Sequence, residues 1–467
     1  MVKYQSFGAA KQVTGSMHLL EFDANYKVLL DCGLDYERNE FGESKSNLTF
    51  PFNPAEIDVL ILSHAHIDHS GNIPNLVRQG FTGKIFCTKA TAFLLNDLWK
   101  DSLQIQLSEN RKEGNKKGRA KSEILYNERH IALAINQINA INYKEEIFLT
   151  PAISFQFVQA GHIIGAASIR IQDIKGNVTI GFTGDLGNYN TQLVVNPNPM
   201  QGLDYLISES TYGGRAHSAD SDAKAMLMNY INEVCVKGRG KLVIPAFSIG
   251  RTQAIIYTFH QIYRDGNMPE WLKIYTDSPL AIKSTKVYEH FNMELNQNAK
   301  DFYSKYNDLF DFPNLKTVSE PAESDYISQS YEPCVIVSAA GMMEGGRIQK
   351  HIRHNVQWPD NAILIAGYCA EGTMGARLLS GQKKITINKK EKPVLAKIYR
   401  TDAFSAHADV NGLLDYYEGT KISAIKKLFL VHGDEESMKA LSEKVVEKFK
   451  GVEVILPNRG EIFLLNQ

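Results

Sequence analysis

Short apolar, β-branched runs recur along the chain, and five of them end in Asp, His or Glu. They are KVLLDCG (27–33), DVLILSHAH (58–66), NVTIGFTGD (177–185), YLISES (205–210) and LFLVHGD (428–434). Runs this apolar predict strands buried on both faces. Polar residues at the carboxyl ends of such strands stand where open α/β sheets place ligands. A second group comprises KLVIPAFSIGR (241–251), PCVIVSAAGMMEGGR (333–347) and AILIAGYCAEGTMGAR (362–377), which end in glycine-containing turns, and LKIYTDSP (272–279), which ends in Asp-Ser-Pro. Helical stretches such as 221–238 and 251–266 alternate with these strands, a β-α-β rhythm that predicts a parallel sheet. The first pattern resumes with LFLVHGD, so the second domain reads as an insertion. The expected organisation is α/β, with a domain over 1–208 and 396–467 interrupted by another over 209–395.

The chain has 467 residues, 43% of them hydrophobic and 22% charged, a globular composition that excludes general disorder. No run of about 18 apolar residues predicts a membrane span, and the amino terminus lacks the apolar core of a secretory signal. A cytoplasmic protein without a membrane partner is expected. Five scattered cysteines, with no CxxC pair, argue against a disulfide framework or a zinc ribbon. With 51 Lys+Arg against 52 Asp+Glu, a uniformly basic coat is excluded. A local basic groove is not, because the field depends on where charges sit. The one strong charge run, RKEGNKKGRAK (111–121), is either a solvated loop or a phosphate-backbone contact.

The chemistry concentrates in SHAHIDHSG, where His64, His66, Asp68 and His69 spell H-x-H-x-D-H. In a tight turn alternate positions point one way, so His64 and His66 can share one ion while Asp68 and His69 face a neighbouring one. Imidazole and carboxylate suit zinc, and an incomplete protein shell leaves a position for water. Later strand ends offer His162, Asp185 and His432. Asp185 is the expected bridge, since its two oxygens offset the repulsion between two cations. Asp31 could orient a ligand through a hydrogen bond.

The order Asp31, H-x-H-x-D-H, His162, Asp185 resembles the metallo-β-lactamase superfamily. Downstream, ISEST with Glu209, DAFSAHAD with His407 and LVHG with His432 resemble the three extra motifs of its β-CASP branch. That likeness covers nearly the whole chain. It implies a metallo-β-lactamase αββα sandwich with an inserted β-CASP domain, and a zinc-dependent nuclease. His66 stands where a di-iron branch carries Glu, which favours two Zn2+, with Mn2+ as the other candidate. His432 stands where the RNA-cleaving members carry His, which favours single-stranded RNA over DNA. A DNA nuclease and a small-substrate metallohydrolase of the same superfamily remain the alternatives, and a homodimer is left open.

The implied mechanism uses a metal-activated hydroxide aimed by Asp68, with His407 as general acid and Glu209 holding it protonated. Three glycine-flanked turns are phosphate-binding candidates at strand-to-helix transitions: Ser248, Gly250 and Arg251; Ser338, Gly341 and Arg347; and the turn ending in Arg377. His351 and His354 are expected on a solvated helix face. His130, His217, His260 and His290 have no partner legible in the sequence, and His18 is expected near the site without being a ligand.

Overall fold

The computed structural model describes residues 1–36, 47–114, 124–189, 191–217, 222–367, 369, 372–387 and 390–465. It divides into two units, one of Met1–Tyr189, Val195–Ala216 and His407–Gln467, the other of Asn190–Val194 and His217–Ala406. Most of the basic run at 111–121 lies outside the described residues.

The first unit is built on two seven-stranded sheets. One runs, in spatial order, Ile462–Leu464, Lys3–Gly8, Met17–Glu21, Lys27–Leu30, Val59–Ile61, Lys84–Thr88 and Ile138–Ile141. The other runs Glu453–Ile455, Lys427–Val431, Tyr205–Glu209, Val178–Phe182, Ala167–Asp173, Ile153–Gln159 and Ile147–Thr150. Alternation within the strands decides what each face meets. Ile207, Phe429 and Val431 join Leu30, Ile61 and Phe157 in the core between the sheets. Their neighbours Leu206, Leu428 and Leu430 point the other way, onto the helices Val410–Thr420 and Glu435–Lys448. Each fully buried Ile, Leu or Phe contributes roughly 1.5–3 kcal/mol relative to exposure, and a strand slipped by one residue would exchange the two sets. Helix Lys89–Gly114 lies against the outer side of the first sheet, which completes the αββα sandwich. All five acid- or histidine-ended runs predicted from the sequence are strands of these two sheets.

The second unit holds a six-stranded sheet in the order Leu315–Thr317, Lys273–Asp277, Cys334–Ser338, Leu242–Pro245, Ala362–Ala366 and Lys397–Thr401. Every neighbouring pair is parallel, as the helix-punctuated rhythm requires. The boundaries differ from those expected at 209 and 396. Glu209 ends a strand paired with Lys427–Val431 and so belongs to the first unit. Lys397–Thr401 pairs in register with Ala362–Ala366 and so belongs to the second. Its sequence, KIYRT, is too polar to announce a sheet strand.

Candidate metal centre

Each candidate side chain stands at or just past the end of a strand. His64 and His66 lie in the turn after Val59–Ile61, and Asp68 and His69 occupy the one-turn helix Ile67–Ser70 that follows. Asp31 follows Lys27–Leu30, Asp185 follows Val178–Phe182, and His432 follows Lys427–Val431. His162 lies in the loop after Ile153–Gln159. The backbone bends sharply at two of these ends: Asp31 and His432 adopt φ of 59° and 50°, a region that non-glycine residues enter at a cost. Close approach is built in as well, because a Cβ at Gly33 would fall 1.6 Å from the Asp68 carbonyl oxygen.

Three donor clusters result: His64, His66, His162 and Asp185; Asp68, His69 and His432; and Asp185, Glu209 and His407. His66 Nδ1 is 3.1 Å from both His64 Nε2 and His162 Nε2. His69 Nε2 is 3.1 Å from His432 Nε2. Asp185 lies between the two imidazole sets and gives one oxygen to each. Its Oδ2 is 3.5 Å from His64 Nε2 and His162 Nε2. Its Oδ1 is 3.2 Å from His69 Nε2 and 3.5 Å from His432 Nδ1.

This spacing tests whether the residues fit metal ions. Donors on a tetrahedral zinc, at roughly 2.0–2.1 Å from the ion, stand roughly 3.3 Å apart. Each neutral imidazole carries only one N–H, so nitrogens crowded at this spacing around a carboxylate suit shared cations better than one another. Burial pushes the His64 and His66 pKa values below the ordinary range, which favours the neutral form that donates a lone pair. Burial opposes ionisation of Asp185, but His432, His69 and His407 outweigh it and hold the carboxyl well below the usual range. The donor set therefore fits a dinuclear metal site.

A surrounding layer of hydrogen bonds fixes the ring orientations. Asp31 Oδ2 stands 2.7 Å from His69 Nδ1, and the carboxylate also accepts from the Ser63 backbone N–H and from the hydroxyls of Ser63 and Ser16. With Nδ1–H directed at Asp31, His69 presents Nε2 to the centre. Thr211 does the same for His432: its hydroxyl donates to the His432 carbonyl and lies 3.1 Å from Nδ1. Ser16, Ser63 and Thr211 were not among the sequence candidates, although Ser63 and Thr211 lie inside the SHAHIDHSG and ISEST segments. His18 is buried near the centre, its Nδ1 3.2 Å from the Tyr4 hydroxyl.

His407 stands at the edge of this arrangement, its Nε2 3.9 Å from Asp185 Oδ2. Glu209 is fully buried and accepts from the backbone N–H groups of Leu186 and Thr211. Both of its oxygens also lie on His407 Nδ1. Burial lowers the pKa of His407, but Glu209 and Asp185 together raise it to about 8.

The expected phosphate-binding turns fall in the second unit and divide into two kinds. Arg251 starts helix Arg251–Arg264 with its guanidinium carbon 4.7 Å from the Phe247 ring centroid, packed against Gly341 and Gly367. Ser248 Oγ is 3.2 Å from Ser278 Oγ, Gly250 caps the helix, and Arg377, half-exposed, donates to the Gly372 carbonyl and lies 3.9 Å from Glu344 Oε1. Arg251 is itself buried, and what sets apart the half-buried Arg347 and the buried Ser338 is that their polar partners lie within the fold. Arg347 donates to Asp277 Oδ1 at 2.6 Å and to the carbonyls of Val318 and Ser319, and Ser338 Oγ donates to the Asp277 carbonyl. His351 corrects another expectation. It is fully buried, 2.6 Å from Asp277 Oδ2 and 2.9 Å from Ser328 Oγ, because the alternation of IQKHIRHN places it on the packed face of its helix.

Imidazoles and carboxylates converging from the strand ends of two packed sheets define a metal-dependent hydrolase. The metallo-beta-lactamase superfamily model matches residues 11–228, the Beta-Casp domain model 252–378, and the model of the Zn-dependent metallo-hydrolase RNA specificity domain 391–457. The chain is 30% identical to a ribonuclease of Thermus thermophilus over 97% of its length and 98% of the relative's. It is 31% identical to an RNase J-like protein of Methanocaldococcus jannaschii, over 99% of each chain. With cleavage and polyadenylation specificity factor 73 of Drosophila melanogaster it shares 29% identity over 94% of this chain and 61% of that one. A solved protein of unknown function from Enterococcus faecalis V583 matches 99% of both chains with a TM-score of 0.55 at 13% identity, which shows a shared fold. The chain belongs to the metallo-β-lactamase superfamily, in its β-CASP branch.

Proposed function

We propose that the chain is a zinc-dependent ribonuclease that hydrolyses phosphodiester bonds of single-stranded RNA, in processing or decay. The observation that carries this reading is Asp185, one oxygen toward each of two imidazole sets, with His407 beside it. The names borne by its full-length relatives support RNA as the substrate. His64, His66, His162 and Asp185 would hold one cation; Asp68, His69, His432 and the other oxygen of Asp185 would hold the second. Imidazole and carboxylate donors without thiolate suit zinc, and manganese shares them. Cations there would supply Lewis acidity, which would acidify water toward neutrality and offset charge on the phosphate oxygens.

The chain's own groups do the rest. Asp68 accepts a hydrogen bond from the attacking water and aims it in line with phosphorus. The departing 3′-oxygen is a poor leaving group as an alkoxide, and His407 gives it a proton from Nε2. Glu209, on Nδ1, holds the ring in position and stabilises the imidazolium. Ser248, Gly250, Arg251, Gly341 and Arg377 are proposed to hold the substrate backbone. Arg347 and Ser338 are left out, their polar atoms being engaged within the fold. Five thiols placed as free cysteines fit a reducing compartment, the cytoplasm. No described helix is long and apolar enough to cross a membrane.

Incubating the purified chain with labelled single-stranded RNA, single-stranded DNA and a chromogenic lactam, with and without chelator, tests the reading. Chelator-sensitive cleavage of RNA is expected. Turnover of the lactam alone, or RNA cleavage indifferent to chelator, would overturn it.

A further inference from the structure

Helix Arg251–Arg264 ends, at its carboxyl terminus, in a pocket of about 260 Å³ that none of the residues discussed so far lines. Tyr257 and Arg264 of that helix face Phe302, Lys305 and Tyr306 of helix Gln297–Tyr306 across it. The aromatic wall is continuous: ring centroids are 5.2 Å apart for Tyr257 and Phe302, and 4.7 Å for Phe302 and Tyr306. Two cations ride on this wall, the Arg264 guanidinium carbon 4.5 Å and Lys305 Nζ 5.0 Å from the Tyr306 centroid.

What orients Arg264 is a neutral group. Its Nε donates to His260 Nε2 at 3.0 Å, and His260 Nδ1 faces the Leu309 carbonyl at 3.0 Å. The carbonyl can only accept, so Nδ1 carries the proton and Nε2 offers the lone pair. Burial, which pushes the His260 pKa down, favours this uncharged tautomer. A carboxylate in that place would orient the guanidinium and cancel its charge; an imidazole orients it and leaves the charge in place. Two acids share the lining: Asp265 pairs with Lys224 Nζ at 2.9 Å, and Asp301 accepts from Gln297 Nε2 at 2.7 Å and keeps its charge, so Lys224, Arg264 and Lys305 stand against two carboxylates. Among the described residues, neither Arg264 nor Lys305 forms an ion pair with a carboxylate.

A preoriented cation pair on an aromatic wall, outside ion-pair distance of the acids and part of a net positive lining, matches a ligand that is anionic along its backbone and planar in its side groups. We propose that this pocket is a second contact for single-stranded RNA, holding phosphates on Arg264 and Lys305 and a base against the guanidinium plane or the ring edges. It rests on the ribonuclease reading above. The helix is 14 residues long, about 21 Å at 1.5 Å per residue, so this contact engages nucleotides well away from those at the Gly250–Arg251 end. Long RNAs can use it and very short ones cannot.

The test compares cleavage of a pentanucleotide with binding and cleavage of a long unstructured RNA by the full chain. Arg264→Ala/Lys305→Ala is expected to weaken binding of the long RNA about threefold to tenfold. The slope of log affinity against log salt should fall by about 1.4, from about 0.7 per phosphate contact on a single strand. Pentanucleotide cleavage should be unchanged, and both substitutions are at the surface, so the circular dichroism should not alter. Arg264→Lys keeps the charge but loses the His260 bond, and should restore the salt slope without restoring the affinity. Unchanged long-RNA affinity and slope in a variant that still cleaves RNA would overturn the contact alone. A wild-type chain that neither binds nor cleaves RNA would overturn the ribonuclease reading with it. Binding of polyglutamate that the double variant loses, with RNA binding intact, would overturn it in favour of an acidic protein partner.

Discussion

Both carboxylate oxygens of Glu209 lie against one nitrogen of His407, Oε1 at 3.1 Å and Oε2 at 3.2 Å from Nδ1. Glu209 ends a central strand of the second sheet, and His407 comes 198 residues later, in the turn before helix Val410–Thr420. Two further backbone N–H groups fix the carboxylate, so the imidazole has little freedom to turn. His407→Ala should therefore slow RNA cleavage by about 10²–10⁴-fold, while metal content, read by mass spectrometry, stays at the wild-type level. Loss of metal in this variant would make His407 a ligand instead.

Metal content itself checks the division of the donors. The wild-type chain should bind two divalent ions and lose both ions and RNA cleavage on dialysis against a chelator. His64→Ala should lose the ion held with His66 and His162. Asp185→Ala should lose both, because its two oxygens serve the two sets. Full cleavage by metal-free protein would defeat the proposed chemistry.

Asp31 touches no substrate, yet it sets which nitrogen His69 presents. Asp31→Asn keeps the shape and removes the charge that stabilises Nδ1–H. A loss of about 10–100-fold in metal affinity is expected, measurable by competition with a chromophoric chelator. Added metal should restore cleavage in this variant and should not do so in Asp185→Ala.

In the second unit the charged network around Asp277 predicts an acid-sensitive fold. Burial opposes the charge on Asp277, but bonds from His351, Ser324 and Arg347 hold its carboxyl below the usual range. The folded pKa is thus lower than the unfolded value of about 3.9. The stabilisation is complete above that value and drains away as pH falls through the folded pKa. Asp277→Asn should flatten this dependence and cost about 3 kcal/mol near neutrality. Fluorescence of Trp271 and Trp358, both in this unit, would follow the acid transition, with Trp99 reporting the other unit. Arg347→Ala should likewise destabilise the unit without weakening RNA binding at neutral pH.

The contrast between Arg251 and Arg347 shows what a linear motif can carry. Each follows a strand in a glycine-containing turn, and from the sequence they are equivalent. Yet one lies over Phe247 at a helix start, while the other is anchored to Asp277, 70 residues away. His351 and His354 are a similar pair, three positions apart on one helix, of which His351 is fully buried and His354 half-buried.

Legible in the linear pattern were the five acid- or histidine-ended strands, four of the six strands of the inserted parallel sheet and the set of metal-type donors. Those features follow from side-chain period and residue type, which are local properties of the chain. Folding in three dimensions is what turns Asp185 toward two imidazole sets, sets Thr211 and Ser63 to steer the ligands, and draws Arg347 and His351 to Asp277 in the second unit. Those outcomes depend on which strand ends are brought within a few ångströms of each other. That proximity is set by packing between segments tens to hundreds of residues apart, and no spacing along the chain records it.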